Sequence, residues 1–126
     1  MPRLRQRIMD IVTSLYTALI ITGSLMPSTG LPSASGMDKL EHFIAYLILS
    51  FLISLTVRER LKELEITAAF LFATGLGVLL EILQGIGGAR ECSSWDAVAD
   101  SLGAAAGCMV FYIWRHKRAG ENHKKV

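Results

Sequence analysis

The sequence predicts an all-α fold, a four-transmembrane-helix bundle with short loops and both ends of the chain on the cytoplasmic side. Three observations carry that expectation. Four apolar segments follow one another, short polar stretches separate them, and eleven of the thirteen Lys and Arg residues fall where such a topology puts one membrane face.

The apolar segments are residues 8–26, 40–57, 66–86 and 97–114. Each comes close to the roughly 20 residues a helix needs to cross a hydrocarbon core. A helix in a soluble bundle keeps a polar stripe, whereas the run Ile44-Ala45-Tyr46-Leu47-Ile48-Leu49-Ser50-Phe51-Leu52-Ile53 is apolar nearly all round. The average agrees: 52% of the 126 residues are hydrophobic, 19% are charged, and mean hydropathy is +0.42. A typical soluble domain carries about 25% charge. This composition excludes a disordered chain, a zinc ribbon and a disulfide-stapled secreted module. The length leaves room for one domain, residues 1–119, followed by a polar tail at 120–126 that should fray.

Taken in order, the first segment follows Arg3, Arg5 and Arg7. It is long for the core of a signal peptide and contains Asp10, so it is read as a retained span. Asp10 should sit at the cytoplasmic edge beside an arginine. Pro27 to Ser33 is turn-forming. Asp38 and Glu41 then read as an N-cap with its capping-box partner ahead of the second segment. Arg58 to Glu65 is a charged continuation that could extend a helix beyond the membrane surface. The third segment closes on Gly85, Gly87 and Gly88, a helix stop. Trp95 and Trp114 bracket the fourth as belt aromatics, and Ser93 with Asp96 repeats the capping pattern. Gly75 and Gly77 in the third segment, and Gly103 and Gly107 in the fourth, are small positions that allow close helix packing. Cys92 falls in the outer connection and Cys108 well inside the fourth segment, too far apart for a disulfide, and neither belongs to a metal-ligand pattern.

The basic residues fix orientation. Arg3, Arg5 and Arg7, then Arg58, Arg60 and Lys62, then Arg115, Lys117, Arg118, Lys124 and Lys125 mark the inner face. Their partner is the anionic leaflet, and nothing in their placement suggests nucleic acid. The outer side keeps only Lys39 and Arg90, against Asp38, Glu41, Glu81, Glu91, Asp96 and Asp100. Ionisable groups inside spans are costly and mark function or a satisfied structural pair. Helical spacing groups His42 with Tyr46, Glu81 with Gln84, and Asp96 with Asp100. With Lys39 and Arg90 they form the candidate ligand site. For an enzyme, His42 is the acid or base, Glu81 or Asp100 orients it, and Arg90 stabilises negative charge. Asp96, Asp100, Glu81 and His42 also make an oxygen-rich set suited to Mg²⁺ or Mn²⁺. The bland alternative is that Glu81 and Asp100 are structural partners of Arg90 and His42.

These residues carry a resemblance. Asp38-Lys39-Leu40-Glu41-His42-Phe43-Ile44-Ala45-Tyr46, Glu81-Ile82-Leu83-Gln84, Arg90, then Ser94-Trp95-Asp96-Ala97-Val98-Ala99-Asp100-Ser101-Leu102-Gly103 with Gly107 beyond, resemble the VanZ-like family of small multi-pass membrane proteins. The family usually has asparagine where Asp100 stands, so this cluster is the more acidic. The resemblance implies a four-helix layout in a bacterial inner membrane and a polar pocket. The family is named for a member linked to resistance toward a lipoglycopeptide antibiotic that targets cell-wall precursors. No reaction follows from it. Three functions compete for the pocket: a cell-envelope lipid or head-group binding and response module, a membrane-surface enzyme modifying a lipid-linked head group, and a structural accessory to a membrane-protein partner or a second copy.

Overall fold

The computed structural model describes residues 2–27, 36–88 and 93–124. Helix α1 spans Pro2–Leu25 and α2 spans Met37–Leu61. A one-turn 3-10 helix follows at Lys62–Leu64, then α3 spans Glu65–Gly87 and α4 spans Ser94–Lys124.

The expected count of four spans needs correction. Three helical segments are long and apolar enough to cross a membrane: Arg3–Leu25, Met37–Gly87 and Ser94–Asn122. The charged continuation read over residues 58–65 is helical, and α2 runs on through Leu61. Every residue there is helical or 3-10 in conformation, and α2 passes directly into α3, so residues 37–87 form one helical run. The chain turns at Lys62, whose φ of 46° lies in the left-handed half of backbone space while its N–H donates to the Arg58 carbonyl. Arginine, lysine, leucine and glutamate all favour helix, which is why charge alone did not break it. Helix α4 likewise continues past Trp114 and through Gly120 to Lys124, where a frayed tail is expected.

Packing is inverted relative to a soluble protein. Ser50, Ser54, Ala69, Ala73 and Ala104 are fully buried, whereas Leu19 is 67% exposed and Leu71, Met109 and Ile86 are comparably bare. Small and hydroxylated residues let helix backbones approach, and large apolar side chains face outward where lipid solvates them. The most extensive packing is α2 on α4, followed by α3 on α4 and α2 on α3. Tyr46, Leu49, Ile53, Ala69, Ala73, Ala104 and Cys108 form the core cluster.

Polar ties fix which ends meet. Gln6 donates to the Thr56 carbonyl at 2.7 Å, and Arg60 pairs with Asp10 at 2.8 Å, putting the start of α1 beside the end of α2. Arg115 pairs with Glu65, joining the end of α4 to the start of α3. At the other end Gln84 donates to the Ser24 carbonyl at 2.6 Å. Within the first group, the buried hydroxyls of Thr13 and Thr56 bond at 2.6 Å, while Thr56 also bonds to the Leu52 carbonyl. Thr13→Val therefore removes one interhelical hydrogen bond at constant volume. It should lower stability by about 1 kcal/mol, read by denaturation in detergent micelles. The Thr56 hydroxyl keeps its bond to the Leu52 carbonyl in that variant, so adding Thr56→Val should lower stability further.

Candidate functional site

At the end away from the Glu65–Arg115 pair, one turn from each of three helices converges. Helix α2 contributes His42, α3 contributes Glu81 and α4 contributes Asp100. His42 Nδ1 lies 2.8 Å from Asp100 Oδ1. One ligand atom from each of the three residues lies within 4.8 Å of the others. Asp100 is 1% exposed and Glu81 is 5% exposed. Burying carboxylates this deeply costs several kcal/mol each unless they are paired or bind a cation.

Local geometry explains the convergence. Gly77 leaves space on α3 that Asp100 fills, since a Cβ there would lie 2.8 Å from Asp100 Oδ2. Glu81 is one helical turn further along the same face. Its Oε2 accepts the backbone N–H of Ser93 at 3.0 Å, just ahead of α4. Gly103 and Gly107 bring α4 against the α2 backbone, where their missing side chains leave room for the Phe43 and Leu47 carbonyls. Thus His42 and Asp100 sit one residue from, and one turn before, the closest approach of their helices.

A second group shares His42. Asp38, His42 and Asp96 also place ligand atoms within 4.8 Å of one another. Asp96 Oδ1 is buried without a hydrogen-bond partner among the described residues, and Lys39 Nζ stands 3.9 Å from it. The sequence pattern assigned Asp38 to capping. Instead α2 begins at Met37 after Gly36, with no side-chain cap bond, and Asp38 lies in the first turn. The i, i+4 spacing of Asp38 and His42 was the available signal for this pairing.

The remaining candidates divide. Lys39 is at the rim, and its ammonium stands 3.9 Å from Asp96. Tyr46 is buried and borders a cavity between α1 and α2. Gln84 is 4% exposed and its amide donor is committed to Ser24, so it braces α3 against α1. Gly75 faces open space and plays no part in the glycine seam. Arg90, with Glu91 and Cys92, lies outside the described residues. The cavity has a volume of ≈ 320 Å³. Leu19, Ile20 and Ala45 supply apolar wall, and Asp38, Glu41 and His42 supply a polar edge.

The donor set fits a divalent cation. Two carboxylates and an imidazole suit Mg²⁺ or Mn²⁺, with Mn²⁺ the more tolerant of nitrogen. Asp100→Asn keeps shape and one acceptor but halves the anionic charge around the ion. Mn²⁺ affinity should fall about 10–100-fold with the fold intact, measured by the electron paramagnetic resonance of free against bound Mn²⁺.

The geometry defines a multi-pass α-helical membrane protein with a buried acidic and histidine cluster able to hold a divalent cation. No family model, curated protein or solved structure matches the chain.

Proposed function

We propose that this protein is a membrane-surface enzyme that modifies a lipid-linked head group, using a divalent cation at the His42–Glu81–Asp100 cluster. The observation that carries the reading is the convergence of those three side chains within 4.8 Å at one end of the helices. The neighbouring cavity supports the substrate class, because an apolar wall and a polar edge in one space match a molecule with both characters. Such a substrate lays its chain against Leu19 and Ile20 and turns its head group toward His42.

Hydrolysis of a phosphate ester in that head group is the simplest chemistry. Water adds to phosphorus, the bond to the leaving oxygen breaks, and the water proton ends on that oxygen. His42 carries the proton between them. Asp100 accepts from the Nδ1–H of His42, which leaves Nε2 with its lone pair and fixes the ring. Glu81 and Asp100 are the carboxylates that would hold the cation. When bound, the ion polarises a phosphoryl oxygen. Lys39 offers a positive charge at the rim for another.

The basic end of the helices faces the cytoplasm of a bacterial inner membrane in this reading, because Arg and Lys concentrate there. The catalytic cluster then opens at the outer leaflet. The likeness of residues 38–110 to the VanZ-like family belongs to the same proposal. The test is turnover in lipid nanodiscs. Protein supplied with lipid-linked phosphate or pyrophosphate substrates should release product with Mn²⁺ or Mg²⁺ and stop on chelation. Tight substrate retention with no product would instead favour a binding and response module, and neither would favour an accessory role.

A further inference from the structure

At the opposite end of the helices lies a second polar site. From His42 to Leu61 the chain climbs 19 residues of α2, about 28 Å of helix, so the two sites lie near opposite faces of a bilayer whose core is roughly 30 Å thick. Glu65 opens α3 directly after the Lys62 turn and is 0% exposed. One of its carboxylate oxygens pairs with Arg115. The other, Oε2, is buried with no hydrogen-bond partner among the described residues. Glu65 lines a cavity of ≈ 490 Å³ together with Arg58, Lys62 and Arg115 on the positive side and Glu59 and Glu63 on the negative side. Formal charge around the space therefore balances, three cations against three carboxylates.

We propose that this cavity binds a zwitterionic phosphoethanolamine group, its primary ammonium on Glu65 Oε2 and its phosphate on Arg58 and Lys62. A simple anion would meet the unpartnered carboxylate oxygen, and a simple cation would meet the basic side chains of Arg58 and Lys62, whereas a ligand with both charges a short link apart satisfies both. Glu65 Oε2 accepts a hydrogen bond, so the ammonium must carry N–H. A quaternary amine lacks one. Its usual aromatic partner is also taken, since the Arg58 and Arg118 guanidiniums already cover the Trp114 ring at 5.8 and 4.8 Å. The turn lies between basic clusters at the membrane surface, where aminophospholipid head groups are presented.

Native mass spectrometry of the full chain, extracted into detergent with defined lipid, tests this. Phosphatidylethanolamine should be retained at least tenfold better than phosphatidylglycerol or phosphatidylcholine. Glu65→Gln should erase the preference, and Arg58→Gln, on the cavity edge, should weaken all phosphate-bearing lipids alike. If Glu65→Gln fails to fold, the head-group series on the unaltered chain and on Arg58→Gln still decides. Equal retention of the three lipids, or preference for phosphatidylglycerol, overturns the proposal. Displacement of the lipid by free O-phosphoethanolamine identifies a soluble ligand of the same chemistry, and resistance to displacement identifies the lipid.

Discussion

His42→Gln should lower turnover of a phosphate-linked lipid substrate by about 10²–10⁴-fold while the protein still inserts and unfolds at its usual temperature. Glutamine is the informative replacement. Its amide donates to Asp100 as the imidazole does, so the buried carboxylate keeps a hydrogen bond and the packing of α2 on α4 survives. What disappears is a basic nitrogen near neutral pH, needed for proton transfer and absent from any amide. Alanine would be the poorer probe, because it leaves Asp100, 1% exposed, without the partner that stands 2.8 Å away. Product release from nanodiscs, alongside a thermal melt of the same sample, separates the two effects. Turnover equal to that of the unaltered chain would remove His42 from the chemistry and, with it, the hydrolytic mechanism.

The cluster was legible in the sequence because helical spacing is a strong constraint. His42 and Tyr46, Glu81 and Gln84, and Asp96 and Asp100 each share a helix face wherever the helices pack, and the apolar surroundings make every charge among them conspicuous. Spacing could not say which residues touch. That Asp100, not Glu81, meets the His42 ring depends on Gly77 clearing its way and on Gly103 setting the depth of α4 against α2. Gln84 shows the same limit from the other direction: one turn from Glu81, it reaches Ser24 on α1 instead of the cluster.

Two features had no local signal. The charged stretch after α2 reads as a helix extension, but nothing in it marks the reversal, which falls on Lys62 rather than on a glycine. A left-handed non-glycine is sterically uncommon, so no pattern of Gly, Pro or Asn announces it. Glu65 reads only as the last residue of that charged stretch. Its burial comes from Arg115, fifty residues away, and only the folded chain brings the pair together.

The glycines divide sharply under substitution. A Cβ at Gly103 would run into the Phe43 carbonyl, and one at Gly107 into the Leu47 carbonyl and Ser50 Oγ. A flexible side chain could step aside, but a carbonyl inside a helix moves only if α2 moves. Gly103→Ala and Gly107→Ala should therefore each cost about 1–3 kcal/mol from overpacking, partly offset by alanine's better helix propensity, worth up to about 1 kcal/mol. Gly75 provides the control, because nothing lies within 4 Å of a Cβ there. Gly75→Ala should stabilise by up to about 1 kcal/mol through propensity alone. Phe43 follows His42 directly, so pushing α2 from α4 also separates His42 from Asp100, and Gly103→Ala should weaken Mn²⁺ binding whereas Gly75→Ala should not. Melting temperature and Mn²⁺ titration on the three variants test both consequences together. Stability shifts of the same sign in Gly75→Ala and Gly103→Ala would mean that the α2–α4 seam does not set the geometry of the site.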